Sequence, residues 1–171
     1  MKWTEVDLTT LSFAGKKGGG TRVTNADGTP LRFQIPTGRV MYNGLSDFKS
    51  VTIEVPIDFV QWWTTKLESE IASGCEPFRS NVKDGGLRVK VDASTHFFNE
   101  SKKSTFPALD EGAFKGDTVS CIIEVSGVYY FQDVYGLIVR AHQVVLREKK
   151  QASATVEEAS GESIKGFAFL D

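Results

Sequence analysis

The chain has 171 residues, of which 40% are hydrophobic and 25% charged, and a formal charge of −2. These values fit one globular domain with a sizeable core. They exclude a strongly basic domain, and no run approaches the ~18 consecutive apolar residues of a membrane-spanning helix.

The charge is unevenly placed. Residues 151–171 carry a net −3 and residues 1–150 a net +1. The body is near neutral and the tail acidic, so two regions are expected: a folded domain over 1–150 and a flexible acidic tail over 151–171. The opening MKWTEVDLTTLSFAG has acids where a secretory leader needs an apolar core. Secretion is therefore not expected; an intracellular location is, the host cytoplasm or nucleus if the protein is viral. Cys75 and Cys121 fall in different kinds of element, so no disulfide is expected, in keeping with a reducing compartment.

In chain order, Val6, Leu8, Leu11 and Phe13 suit a first strand. The glycine-rich GKKGGGTRVTNADGTP that follows reads as a mobile loop or hairpin. Its spacing does not meet the phosphate-loop pattern, but Lys16, Lys17 and Arg22 could reach backbone phosphates. Leu31, Phe33 and Ile35 alternate with polar residues as in a half-buried strand, and Arg39 to Tyr42 continue as strand or bend. Val51, Ile53 and Val55 alternate again until Pro56. One amphipathic helix is expected over about residues 59–73, with Asp58 as N-cap, Gln61 completing a capping box and Gly74 just past the end. Phe59, Trp62, Trp63, Leu67 and Ile71 make one apolar stripe, which favours a core role for both tryptophans.

Leu87, Val89, Val91 and Ala93 face one way and Arg88, Lys90 and Asp92 the other. Phe97 and Phe98 follow, of which alternation buries one. FPALDEGAFKGD is a turn-rich loop in which Asp110 and Glu111 read as solvated. Two long strands then flank SGVYYFQDVYG, with Gly127 marking a bulge or a sharp bend and a QDV turn closing a hairpin. Tyr129 and Phe131 share one face of it and Tyr130 takes the other, so at least two of these aromatics, with Tyr135, should meet solvent. Beyond Glu148 the sequence is small, polar and acidic and reads as disordered, ending in FAFLD, whose aromatics need a partner surface.

No close-spaced metal-ligand pairs and no nucleophile motif stand in the sequence, so neither a cofactor nor an enzyme activity is expected. Aromatic and basic side chains interleave along strands instead. That mixture suits single-stranded nucleic acid: bases stack on rings while cations follow the phosphates. The helix, with its aromatic stripe and Glu68 and Glu70, is ill suited to duplex reading.

Three blocks carry a family resemblance: FKSVTIEVPIDFVQWWTTKLESEIA, GLRVKVDASTHFFNESKKS and KGDTVSCIIEVSGVYYFQDVYGLIVRAHQVVLRE. Their order resembles the single-stranded DNA-binding proteins of bacteriophage T7 type, with relatives in large DNA viruses. The resemblance implies a mainly β fold, an OB-like β-barrel with one helix. It implies an aromatic–x–aromatic stacking pair at the hairpin end, matched by Tyr129 and Phe131. It also implies a tail that competes with DNA for the groove and recruits replication proteins, through Phe167, Phe169 and Leu170. The expected DNA-binding set is Lys16, Lys17, Arg39, Arg88, Lys90, Phe97, Tyr129, Phe131 and Arg140, serving replication or recombination without sequence preference. A homo-oligomer, such as a homodimer, is also expected. The rival reading is a viral structural or assembly protein whose exposed aromatics form a subunit interface. The near-neutral body favours that rival.

Overall fold

The alternating segments assemble into one mixed sheet. In the computed structural model, which describes residues 1–15, 20–147 and 169, this sheet has twelve strands. β1 (Ser12–Gly15) and β2 (Thr21–Thr24) make an N-terminal hairpin; β3 (Leu31–Gln34), β4 (Gly38–Arg39) and β5 (Ser50–Glu54) follow. After a helix come β6 (Phe78–Arg79), β7 (Val82–Lys83), β8 (Gly86–Lys90), β9 (His96–Phe98) and β10 (Ser104–Thr105). β11 (Thr118–Phe131) and β12 (Val134–Arg147) form a long hairpin that the rest of the sheet builds on.

The main path runs β1-β2-β11-β12-β8-β5. β3 and β4 also pair with β11, and β6, β8 and β9 lie parallel to β12. From β5 the sheet reaches back towards β11 through a bridge from Val40 to Ile53, beside β4. The register of β11 on β12 shifts between Val125 and Gly127, a bulge, one of the two features expected at that glycine. A Cβ at Gly127 would stand 2.2 Å from the carbonyl oxygen of Thr21, so only glycine lets β2 approach there.

The helix spans α1 (Ile57–Trp62), a π-helical turn (Trp63–Leu67) and α2 (Glu68–Ile71). It starts two residues earlier than the sequence suggests. Pro56 is the N-cap, and Asp58 sits inside the first turn, where its Oδ1 accepts a 2.9 Å bond from the Phe59 amide. Proline suits this entry because it has no N–H to leave unsatisfied. Phe59, Trp63 and Leu67 are wholly buried, each contributing roughly 1.5–3 kcal/mol of burial. Trp62 is half-buried and packs against Trp3 and Phe33, at 5.3 and 5.6 Å between centroids. Both tryptophans therefore serve packing.

Two further expectations fail. The segment with Val6 and Leu8 is not strand: it forms 3-10 turns at Trp3–Glu5 and Leu8–Thr10, and only Ser12 onwards is extended. Local capping wins there, with Asp7 accepting from the Thr9 amide and Glu5 from the Lys2 amide. Phe97 and Phe98 are both buried, not one of the two. The loop after β10 covers the Phe97 face, where Phe114 stacks on Phe97 at 5.3 Å and 17°. Cys75 and Cys121 are free, as expected. Among the described residues no helix is long and apolar enough to cross a membrane.

Candidate nucleic-acid interface

Register fixes which side chains share the outer face. Thr52 lies opposite Arg88 and Ser50 opposite Lys90 on β5 and β8. Lys90 then meets Arg140 across β8 and β12. Ile138 faces Gly127, Gly136 faces Tyr129 and Val134 faces Phe131 across the long hairpin. Cross-strand partners point to the same side. Arg88, Lys90, Arg140, Ile138, Tyr129 and Phe131 are therefore on one surface, while Leu87, Val89, Leu137 and Val139 point into the core.

All of these surface residues except Phe131 line a depression of about 330 Å³. Arg88, Lys90 and Arg140 line it with Phe48, Ser50, Asn81, Ile138 and Tyr129. A second depression of about 820 Å³ adjoins it and shares Phe48, Ser50 and Arg88. Tyr42 and Lys115 line this second part, with Asp47 and Glu111. The result is one trough. Tyr129 lines one part, Phe48 stands where the two parts meet and Tyr42 lines the other; Phe131 lies outside both, two residues beyond Tyr129 on the same strand face.

Three of these aromatics are offered to solvent, whereas Tyr129 is half-buried. Phe48 is 83% exposed, Phe131 66% and Tyr42 62%. Tyr42 has φ 56° and Lys49 φ 59°, so a left-handed backbone on both sides of Phe48 aims that loop. The Lys49 ammonium anchors it by donating to the Leu109 carbonyl at 2.5 Å. At the hairpin tip, Gln132 and Asp133 have φ 51° and 62°, which gives the two-residue turn whose twist matches the strands. Tyr130 faces the other way. Its hydroxyl donates to Asp133 at 3.1 Å, its ring meets Tyr135 at 4.7 Å, and the bond to Asp133 pushes its phenol pKa up.

The cations differ in how committed they are. Arg140 lies 3.3 Å from Glu124 and 3.7 Å from Asp92, and it donates to the Ser94 hydroxyl. Glu124 is shared with Arg32 at 2.8 Å. Burial raises the Asp92 carboxyl, but hydrogen bonds from the Ser94 side chain and amide, with Arg140 and Lys90 nearby, hold it below the usual range. Burial, then Arg32, lowers the pKa of His142, which flanks this cluster. Arg88 and Lys90 are exposed on the trough wall. Arg39 is not in the trough: it sits on β4, 3.5 Å from Glu54, both exposed. Phe97 is buried under Phe114, out of reach of a base, and leaves the expected set.

Lys16 and Lys17 lie outside the described residues, as do Phe167 and Leu170. The strands flanking the lysine loop are described, and β2 pairs with β11 at Gly127 and Val128, next to the aromatic end of the hairpin. Phe169 is not at the trough. It lines a separate cleft with Trp3, Ile35 and Arg147. Sequence reading missed Phe48 and Tyr42. The signal available was an aromatic in each of two turn-like, glycine- and serine-rich stretches, MYNG and SDFKS.

No family model matches the chain, and no curated protein does. Solved structures do match in fold. The single-stranded DNA-binding protein from bacteriophage Enc34 superposes with a TM-score of 0.51 at 15% identity, covering 86% of this chain and 96% of that one. Its C-terminally truncated form gives 0.51 at 14%, covering 84% and 98%. Its complex with single-stranded DNA gives 0.50 at 15%, covering 82% and 97%. The fold thus resembles that of the bacteriophage Enc34 protein.

Proposed function

We propose that the protein binds single-stranded DNA without sequence preference in viral or phage replication or recombination. The observation that carries this is the trough itself: Tyr129 lines one part, Phe48 the junction and Tyr42 the other part, with Arg88 and Lys90 exposed on its wall. Each stacked base contributes ~1–3 kcal/mol, and sequence does not matter because every base has a flat face. Lys90 and Arg140 are neighbours across β8 and β12; Arg140 is offset by Glu124 and Asp92, which leaves Lys90 with Arg88 to meet a phosphate. The resemblance in fold to a phage protein named for the same activity supports the reading.

In this reading the sheet is an OB-like barrel, with the bridge beside β4 as its closing seam, and the protein is a distant member of the T7-type group. Tyr129, Phe131 and Phe48 stack bases, with Tyr42 beyond them. Arg88 and Lys90 hold phosphates, Arg140 assists, and the Lys16/Lys17 loop reaches the strand from the β1–β2 side. Residues 1–150 form the binding domain and 151–171 the tail that meets replication proteins.

The test is a fluorescence-anisotropy titration of labelled oligo-dT at low and moderate salt. Micromolar or tighter binding that weakens steeply with salt is expected. Absence of binding at low salt rejects the reading. In that event a concentration-dependent dimer lost in Y129A/F131A supports the assembly role in its place.

A further inference from the structure

The cleft that Phe169 lines lies at the far end of β12 from the trough. The two share no residue. Ile138 and Val145 are seven positions apart, roughly 23 Å along a strand. Trp3, Ile35 and Pro36 give the cleft apolar walls, and Phe169 forms part of its lining. Lys2, Lys102 and Arg147 supply the charge, against Glu100. Arg147 is held in place by donating to Ser120 at 2.9 Å.

Apolar walls inside a cationic rim fit an aromatic residue flanked by acids. The chain's own last segment has that chemistry: Phe169 followed by Asp171, in a region of net charge −3. Arg147, the last residue of β12, lines the same cleft as Phe169.

We propose that this cleft is a docking site for the chain's own C-terminal aromatic segment, engaged in cis through Phe169, and that docking leaves the DNA trough free. The tail therefore does not compete with single-stranded DNA; it is stored at a second site, from which a partner protein can draw it. The independence from DNA rests on the function proposed above, whereas the docking itself does not.

The test uses the full chain, with a fluorescent peptide carrying residues 166–171 as probe. The variant Phe169→Ala empties the site and is expected to bind the peptide at least tenfold more tightly than wild type, whose own tail occupies the cleft. Adding K102E on the exposed rim should weaken the peptide again. Circular dichroism checks that each variant is folded. Equal peptide binding by wild type and Phe169→Ala, or none by either, overturns docking. A wild-type dimer in light scattering that Phe169→Ala abolishes overturns the cis arrangement in favour of exchange between two copies. Oligo-dT affinity should agree within twofold between wild type and Phe169→Ala. A several-fold gain in the variant overturns independence from DNA. If neither protein binds oligo-dT, the proposed function fails and the peptide result still decides docking.

Discussion

Tyr129 lies against Gly136 on the opposite strand: a Cβ added to Gly136 would stand 2.4 Å from both Cζ and the phenol oxygen of Tyr129. The missing side chain on β12 is what seats the ring. A glycine inside a strand weakens it, and an aromatic lying across from it offsets that loss. The relationship links a local cost in the hairpin to the position of the ring in the trough.

G136V should therefore act at a distance of one strand. The new side chain displaces the ring, and oligo-dT binding should fall by about 1–3 kcal/mol, as in Y129A. In a double-mutant cycle, G136V should add little to Y129A. Additive losses would show that Gly136 matters for another reason.

Phe48 should matter as much as Phe131. F48A removes a ring that is 83% exposed and costs the fold little, so the melting temperature should hold while binding drops by about 1–3 kcal/mol. Anisotropy and a thermal melt together check this.

The cations should separate by their salt dependence. R88A/K90A should lower the slope of log affinity against log salt by about 1.4, at about 0.7 for each phosphate contact to a single strand. R140A should lower it less, because Glu124 and Asp92 already offset that charge. An equal loss from all three cations would contradict the division seen in the structure.

Glu68 sets a pH dependence of stability. It is buried on the helix, and its carboxyl accepts from the Ser80 hydroxyl at 2.5 Å. Burial raises its pKa above 4.5 despite that bond. The folded state then holds the proton more tightly than the unfolded one. This group's contribution is greatest below pH 4.5 and is lost as pH rises through its folded pKa. E68Q should keep the Ser80 contact, flatten the loss and be the more stable protein at pH 7. Denaturant midpoints across pH 4–8 measure it.

The two thiols should differ sharply. Cys121 is fully buried, and burial pushes its pKa well up, whereas Cys75 is partly exposed. A thiol reagent should label one cysteine quickly and the second only on unfolding.

Much of the site was legible because β periodicity is strict. Alternation placed Tyr129 with Phe131, and Arg88 with Lys90, on shared faces, and the pairing of Lys90 with Arg140 joins those two faces into one. What alternation cannot supply is what covers a face. Phe97 was expected to be available, but a loop with no periodic pattern brings Phe114 onto it. Phe48 was missed for the converse reason: a single aromatic in a turn carries no period, and its exposure depends on left-handed residues at Tyr42 and Lys49 that non-glycine sequence does not advertise. The early strand failed where Asp7 and Glu5 cap short turns, a local competition that hydrophobic spacing does not register.

The most direct test of the central claim is a ¹H–¹⁵N spectrum of the full chain titrated with oligo-dT. The account predicts shifts concentrated at residues 16–17, 42, 48–52, 88–90, 129–131 and 136–140, with little change at Thr37 and Arg147 in the cleft. Shifts centred on the cleft, or an unchanged spectrum at saturating DNA, would contradict it.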